Sequence, residues 1–288
     1  MCSISAGKRI EWIVSRAFFR RRGCVLGMFF IAFFGGLSGC SRGTAQRGLV
    51  VAGSTSVQPF ADHWAEFYMK DYPERVVNIQ GGGSSAGIQA AREGAADIGM
   101  SSRELKPEEN DLLEVIVAWD GLAIIVHPDN GLEGLSQEEV RGIFSGDIRN
   151  WSTLQEPDHA ITVVTREEGS GTRATFQEMV MKKSRISPRA IVQDSNGTVR
   201  EIVANDPHSI GYISLGLVNN KVKALRFDGM EPTYENIDQK KYRLIRPFLF
   251  VTKGPPSGAA LDFINFVISR RIQELVRLDG LVPIFRED

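Results

Sequence analysis

Short apolar runs alternate with longer amphipathic segments through much of the chain. Apolar runs at residues 49–52 and 76–80 predict strands, and residues 59–70 between them have the spacing of a helix. The alternation continues with a helix over 86–93 and a strand over 97–100. Strands that alternate with helices at this spacing predict an α/β fold with a largely parallel sheet.

The second half of the chain continues this alternation. Ser136 and Glu139 have the spacing of a capping box, which predicts a helix that ends near Phe144. A strand over 161–165 leads directly to Arg166, and residues 232–241 are polar and predict a loop. The remaining apolar runs predict strands over 115–119, 122–126, 210–214, 222–227 and 248–251, and helices over 172–183, 197–205, 259–268 and 272–278.

Three loops that lead into predicted helices are rich in glycine and small hydroxyl residues. They cover residues 53–56, 81–87 and 169–172, and Arg166 precedes the third. Glycine brings backbone N–H groups close to a ligand, and the start of a helix carries free donors and partial positive charge. Hydroxyl groups and an arginine add further donors that suit a tetrahedral oxyanion. The three loops together predict a site for a small anion such as phosphate.

One of these loops also matches a hydrolase motif. Residues 83–87 fit the G-x-S-x-G pattern that presents a nucleophilic serine, here Ser85. A serine hydrolase would also need a histidine, but His127, His159 and His208 each lie in a predicted turn. The hydrolase is therefore a remote alternative, which would turn over an ester and lose that activity on Ser85→Ala.

The same loop fits the dinucleotide fingerprint only loosely. The pattern spans residues 81–86 and follows the second strand of the exported body rather than its first, and Asp97 lies only 14 residues beyond Gly83. Asp97 is either a ligand group or a residue that fixes its loop by accepting backbone N–H bonds. No group of His, Cys and Asp has metal-ligand spacing, so the sequence predicts neither a cofactor nor a metal.

The first forty residues have the character of an export signal. Arg20-Arg21-Arg22 precedes an apolar run of about eleven residues, which is short for a membrane-spanning helix. The following Leu37-Ser38-Gly39-Cys40 resembles the lipobox of bacterial lipoproteins. That resemblance implies a signal peptide over 1–39, lipidation of Cys40 and a polar tether over 40–47. The protein would then be exported and anchored in a bacterial membrane, facing the periplasm or the cell exterior.

Charge excludes one class of partner. The chain has 34 basic and 35 acidic residues, and residues 1–39 hold six of the basic and one of the acidic ones. The remaining 28 basic and 34 acidic residues give the body a net charge of −6. A net-acidic body argues against nucleic-acid binding, which needs a basic surface. An anion site in this body must therefore depend on local dipoles and a few cations.

Several segments together carry a family resemblance. They are AGSTSVQP at 52–59, GGSSAGI at 82–88, DIGMSSR at 97–103, GLAIIV at 121–126, REEGSGT at 166–172, and IFSG at 143–146 followed by NW at 150–151. These segments resemble the PstS family, the phosphate-binding subunits of phosphate ABC transporters, and they occur in the family order over nearly all of residues 49–280. This co-occurrence is far more specific than any single glycine-rich loop.

The resemblance implies a two-lobed type II periplasmic-binding-protein fold with a ligand cleft between the lobes. Lobe one would comprise residues 48–122 and 246–288, and lobe two residues 123–245. The family's ligand contacts carry over to Thr55, Ser56, Ser84 and Ser102 in lobe one, and to Arg166, Ser170, Gly171 and Thr172 in lobe two. A ligand held by both lobes favours the closed arrangement.

One position departs from the family pattern. Some members have an aspartate where this chain has Ser102, and that carboxylate accepts the proton of hydrogen phosphate and repels sulfate. A serine also accepts a hydrogen bond but adds no charge penalty against sulfate. Glu168 stands where those members have the aspartate that pairs with the arginine.

The resemblance implies a solute-binding lipoprotein that captures inorganic phosphate and delivers it to a membrane permease. The expected protein is a monomer and not an enzyme. Two alternatives within the same fold stay open: a binding protein for another oxyanion, such as sulfate, molybdate or tungstate, and a signalling protein that reports phosphate to a membrane partner.

The lipobox gives a first testable prediction. Cys40→Ser should release the protein from the membrane fraction, because a lipid chain contributes roughly 0.8 kcal/mol for each CH₂ that it buries. Fractionation of cells that express each form measures this, with Cys24→Ser as the matched control within the apolar run. Unchanged membrane association of Cys40→Ser would instead indicate an ordinary helical anchor.

Overall fold

A nine-stranded mixed sheet runs through residues 48–285, the part of the chain that this computed structural model describes. The strands are β1 (Leu49–Gly53), β2 (Val77–Gln80), β3 (Ile98–Ser101), β4 (Leu113–Val126), β5 (Gly134–Leu135), β6 (Thr162–Arg166), β7 (Ile191–Gln193), β8 (Ser209–Ser214), β9 (Lys223–Ala224), β10 (Arg226–Phe227) and β11 (Ile245–Thr252). Their order in the sheet is β2-β1-β3-β11-β4-β8-β6-β7, with β9 paired to β4, and β5 and β10 form a separate two-stranded sheet. The α-helices are α1 (Gln58–Asp71), α2 (Ser84–Glu93), α3 (Gln137–Ser145), α4 (Gly171–Phe176), α5 (Asn196–Asn205), α6 (Tyr234–Asp238), α7 (Gly258–Val267) and α8 (Arg270–Leu278).

The sheet consists of two parallel groups that are joined by antiparallel strands. Strands β2, β1 and β3 are parallel to one another, and so are β7, β6 and β8. Between the groups, β11 is antiparallel to β3 and β4, and β4 is antiparallel to β8. The predicted parallel pairing is therefore confirmed within each group, whereas the centre of the sheet is antiparallel.

Two main hydrophobic cores lie along this sheet and give the protein two lobes. The first core is drawn from residues 49–118 and 248–281, and the second from residues 122–244 together with Val282. Smaller clusters cover the other face of each half of the sheet, so helices and loops pack on both faces. Strands β4 and β11 both pass from one core to the other, and the chain returns to the second core at Val282. This arrangement confirms the predicted two-lobed α/β fold, and the exact lobe limits stay a prediction.

Some local predictions differ from the structure. The predicted runs at 115–119 and 122–126 are parts of the single strand β4, and the predicted strand 222–227 is two short strands, β9 and β10, that pair with different partners. The loop predicted over 232–241 contains α6, whose Ile237 is buried in the second core. One buried side chain is too weak a pattern to predict a helix from an otherwise polar segment.

The helix predicted over 172–183 is shorter than expected. It is regular only in α4 and continues as one π-helical segment over Gln177–Met181, and Lys182 ends it with a φ of 56°. No helix within residues 48–285 is long and apolar enough to cross a membrane. The predicted signal peptide, Cys40 and the tether lie outside the described residues.

Candidate functional site

The predicted ligand residues lie at the carboxyl ends of parallel strands from both lobes. Ligands of open α/β sheets commonly occupy this edge. In the first lobe, Thr55 and Ser56 follow β1, Ser84 begins α2, and Ser102 follows β3. In the second lobe, Arg166 ends β6, Ser170 caps α4, and Gly171 and Thr172 begin that helix. The structure thus brings all eight residues together, and their contacts with a ligand stay a prediction.

Hydroxyl and guanidinium groups bond directly across the cleft between the lobes. The Oγ atom of Ser56 lies 2.6 Å from Oγ1 of Thr172, and both side chains are buried. Arg166 donates from Nη2 to Oγ1 of Thr55 at 2.9 Å. The two lobes therefore meet through the side chains that the sequence assigns to the ligand.

Ser102 lies in a cluster of buried hydroxyl groups. Its Oγ accepts a hydrogen bond from Ser54 at 2.9 Å and lies 3.4 Å from Oγ of Ser84. Its backbone N–H donates to the same Ser84 oxygen at 3.1 Å. A site with serines at this point offers hydrogen bonds without a negative charge.

Gly171 lies against this hydroxyl cluster with no space for a side chain. A Cβ atom added to Gly171 would lie 2.3 Å from Oγ of Ser84 and 2.6 Å from Oγ of Ser102. Real Cβ contacts essentially never fall below 3.0 Å. A side chain at the start of α4 would therefore force the hydroxyl groups of Ser84 and Ser102 in the first lobe to move.

Arg166 supplies the only arginine among the predicted ligand residues, and Glu167 holds it. Its Nε and Nη2 donate to the two carboxylate oxygens of Glu167, both at 3.0 Å, and Nη2 also donates to the carbonyl of Asp194 at 2.8 Å. The expectation that Glu168 would pair with Arg166 is wrong. Glu167 follows β6 directly, and Glu168 lines a different cavity.

The other terminal nitrogen of Arg166, Nη1, differs from Nη2. The Arg166 side chain is only 1% exposed, yet Nη1 makes no hydrogen bond within residues 48–285. Buried polar groups are nearly always hydrogen-bonded, and an unpaired guanidinium nitrogen is costly. An anion beside Nη1 would satisfy it.

Two further residues support the site, and the sequence analysis missed both roles. Asn196 at the start of α5 donates from Nδ2 to Oγ of Ser56 at 2.7 Å. The hydroxyl of Tyr212 lies 2.7 Å from Oγ1 of Thr165 and accepts from the backbone N–H of Arg166 at 3.4 Å. Burial raises the pKa of the Tyr212 phenol, so it stays protonated and neutral. Neither residue has a local sequence signal, because each acts across a long sequence separation.

A buried ion pair lies where the chain passes between the lobes. Arg246 of β11 donates from Nε to Oδ2 of Asp120 in β4 at 2.9 Å, and Ser214 donates to the other oxygen at 2.8 Å. Burial raises the pKa of Asp120 and lowers the pKa of Arg246, and the attraction between the two groups opposes both shifts. Arg246 also extends to the carbonyl of Ser102 at 3.4 Å, which links this pair to the site.

The remaining candidates from the sequence occupy other places. Asp97 accepts the backbone N–H of Val50 at 2.8 Å, which supports its loop-fixing alternative. His159 and His208 stack on each other with ring centroids 4.0 Å apart, and His127 accepts from the backbone of Asp129. No histidine within the described range is hydrogen-bonded to Ser85. Residues 48–285 also contain no group of three or more His, Cys, Asp or Glu that could hold a metal.

Comparison with known proteins places this geometry among binding proteins. The chain matches the PBP superfamily domain over residues 40–271. It is 35% identical over 246 residues to the phosphate-binding protein PstS of Bacillus subtilis, covering 83% of this chain and 82% of that protein. It is 29% identical to the PstS of Borreliella burgdorferi, covering 86% of this chain and 94% of that protein.

Solved structures agree in fold. A phosphate ABC transporter substrate-binding protein from Clostridium perfringens, solved with bound phosphate, superposes with a TM-score of 0.80 at 38% identity over 83% of this chain and all of that one. An ABC-type phosphate transport receptor from Vibrio cholerae superposes with a TM-score of 0.69 at 38% identity, covering 81% of this chain and 99% of that one.

The close approach at Gly171 gives a prediction about closure. Gly171→Ala should weaken the binding of phosphate, the ligand that the sequence predicts, by at least about tenfold, because the added methyl group holds the lobes apart. Calorimetric titration measures the affinity, and a melting curve without ligand checks the fold. The matched control is Gly169→Ala, since a Cβ there meets nothing within 4 Å. Equal affinity of the Gly171 variant and the wild type would contradict a closed complex of this geometry.

Proposed function

The chain belongs to the PstS family of phosphate-binding proteins within the PBP superfamily, and on that basis we propose that it captures inorganic phosphate in the cleft between its lobes. The family membership and the solved phosphate complex of a similar protein support this ligand. We further propose that the protein acts as a monomeric binding protein rather than an enzyme, and that it delivers phosphate to the permease of an ABC transporter.

The observation that carries the proposal is the unpartnered Nη1 of Arg166. Glu167 and the Asp194 carbonyl hold the guanidinium from one side, so that its remaining N–H groups have a fixed direction. Charge-assisted hydrogen bonds from arginine suit the oxygens of phosphate. Bound phosphate would thus complete the hydrogen bonding of a group that is otherwise buried and unsatisfied.

Capture would proceed by closure around the anion. Hydroxyl groups of the first lobe (Thr55, Ser56, Ser84, Ser102) would donate from one side. Arg166, Ser170, Thr172 and the backbone N–H groups at the start of α4 would donate from the other, where the helix adds a favourable dipole. Since the ligand contacts both lobes only when they are together, binding energy favours the closed arrangement. Export and a lipid anchor at Cys40 would keep the protein near the membrane that holds the permease.

One observation favours a second ligand class. The hydroxyl cluster at Ser102 contains no carboxylate, and Glu167 is the acidic side chain that pairs with Arg166. A carboxylate at position 102 would accept the proton of hydrogen phosphate and repel sulfate, which has no proton to give. A site with serine there would bind sulfate or another tetrahedral oxyanion with a smaller penalty.

Arg166 gives the direct test of the proposed site. Arg166→Ala should lower phosphate affinity by roughly two to four orders of magnitude, because it removes one or two charge-assisted hydrogen bonds and leaves Glu167 unpaired near the anion. Calorimetry measures the affinity. Added phosphate should raise the melting temperature of the wild type but barely that of the variant.

The matched control for this test is Arg226→Ala, which removes a half-exposed arginine paired with Glu231 in the same lobe. It should bind phosphate like the wild type. Phosphate affinity that survives Arg166→Ala would remove the centre of the proposed site.

Ser102 gives the test of selectivity. Sulfate should compete with phosphate for the wild-type protein, and Ser102→Asp should strengthen the rejection of sulfate while phosphate still binds. Competition titrations with phosphate and sulfate measure the affinity of each form for both anions. The neighbouring substitution Ser101→Asp cannot serve as a control, because Ser101 is also buried and lies outside the hydroxyl cluster. If sulfate at large excess fails to compete with the wild type, another acceptor such as Glu167 performs the discrimination.

A further inference from the structure

A second cavity of about 540 Å³ lies beside Arg166 in the second lobe. It lies between the start of α4 and the segment 183–192, which leads into the edge strand β7. Its lining includes Thr165 next to Arg166 and Glu168 from the loop that follows β6. Its volume falls within the range of about 300–1,000 Å³ that is typical of ligand sites.

The lining of this cavity is cationic although the body of the protein is acidic. Arg173, Lys183 and Arg185 line it, against a single acidic side chain, that of Glu168. The chain has no acidic residue between Glu178 and Asp194. The cavity therefore concentrates positive charge on a protein whose overall charge does not supply it.

The two cations of the loop have no partner among the residues that the structure describes. The side chains of Lys183 and Arg185 form no ion pair or hydrogen bond within residues 48–285. Nη1 of Arg173 donates to the backbone carbonyl of Arg166 at 2.6 Å. The other guanidinium nitrogens of Arg173 make no hydrogen bond within the described residues. Three cationic groups thus face one space with most of their donors free.

The local backbone holds this arrangement in place. The π-helical segment over Gln177–Met181 ends at Lys182, whose positive φ stops the helix before Lys183 and Arg185. The side-chain amide of Gln177 donates to the carbonyls of Lys182 and Ser184 at 3.1 and 2.7 Å. Lys183 and Arg185 therefore project from a loop whose backbone is tied to the helix below it.

We propose that this cavity is a second anion site, which binds a small linear polyanion with two or more phosphate groups. Three cations at separate positions match several anionic groups on one ligand better than a single tetrahedral ion, and arginine pairs with phosphate oxygens in a bidentate manner. Arg173 also bonds the backbone of Arg166, and its own backbone N–H donates to Oγ of Ser170. The site thus shares a wall with the cleft but uses different side chains.

The probe is inorganic tripolyphosphate, titrated into the purified chain by calorimetry in a buffer without divalent cations. Wild type should show saturable binding of one equivalent outside the cleft. The double variant Lys183→Ala/Arg185→Ala should bind about tenfold more weakly, since each exposed ion pair contributes up to about fivefold. The matched control is Arg189→Ala/Lys241→Ala, which removes the same charge from exposed side chains that do not line the cavity. It should bind within about twofold of wild type.

Arg166→Ala distinguishes this site from the cleft. It should retain tripolyphosphate binding while it loses phosphate, whereas the Lys183/Arg185 variant should retain phosphate. Melting curves establish that each variant is folded. Three results would overturn the proposal: no saturable binding to wild type, equal weakening by the cavity pair and the control pair, or loss of tripolyphosphate binding in Arg166→Ala. The last result would place the polyanion in the cleft.

Discussion

The buried ion pair of Asp120 and Arg246 is the interaction on which the two-lobed arrangement depends. Strands β4 and β11 both pass from one core to the other, and these two residues face each other in their pairing. Removing one partner of a buried ion pair costs about 3–5 kcal/mol, since the other charge is left without compensation. The pair therefore favours the register in which Arg246 lies opposite Asp120. The ion pair also contacts both lobes, because Asp120 accepts from Ser214 and Arg246 donates to the carbonyl of Ser102.

The candidate site follows a different electrostatic rule. Its donors are mostly neutral hydroxyl and backbone N–H groups, and its one arginine is already balanced by Glu167. Neutral donors that are pre-arranged in a buried site cost little reorganisation when an anion arrives. This explains how a protein with a net-acidic body can offer an anion site without an attractive overall field.

The sequence predicted the loops of this site because each carries a local signal. Gly81–Gly83 and Gly169–Gly171 mark tight turns into helices, and Ser170 is a helix cap as its position suggests. It did not predict Asn196, Tyr212 or Arg246, which reach the site through long-range pairing that no local pattern encodes. The choice between Glu167 and Glu168 depended on which side of the chain faces Arg166 after β6 ends. Successive side chains of an extended segment point to opposite sides, so a shift of one residue changes which glutamate faces Arg166. Family resemblance and spacing therefore could not distinguish Glu167 from Glu168.

The depth of the cleft residues has a kinetic consequence. Ser56, Ser84, Ser102, Arg166 and Thr172 are each at most 1% exposed, and Gly171 leaves no space for a Cβ atom beside the hydroxyl groups of Ser84 and Ser102. An anion held among these buried groups would be shielded from water while the lobes are together. Its residence time would then follow the lifetime of the closed arrangement, and its release would follow the separation of the lobes. A partner that pulls the lobes apart would control unloading without touching the anion.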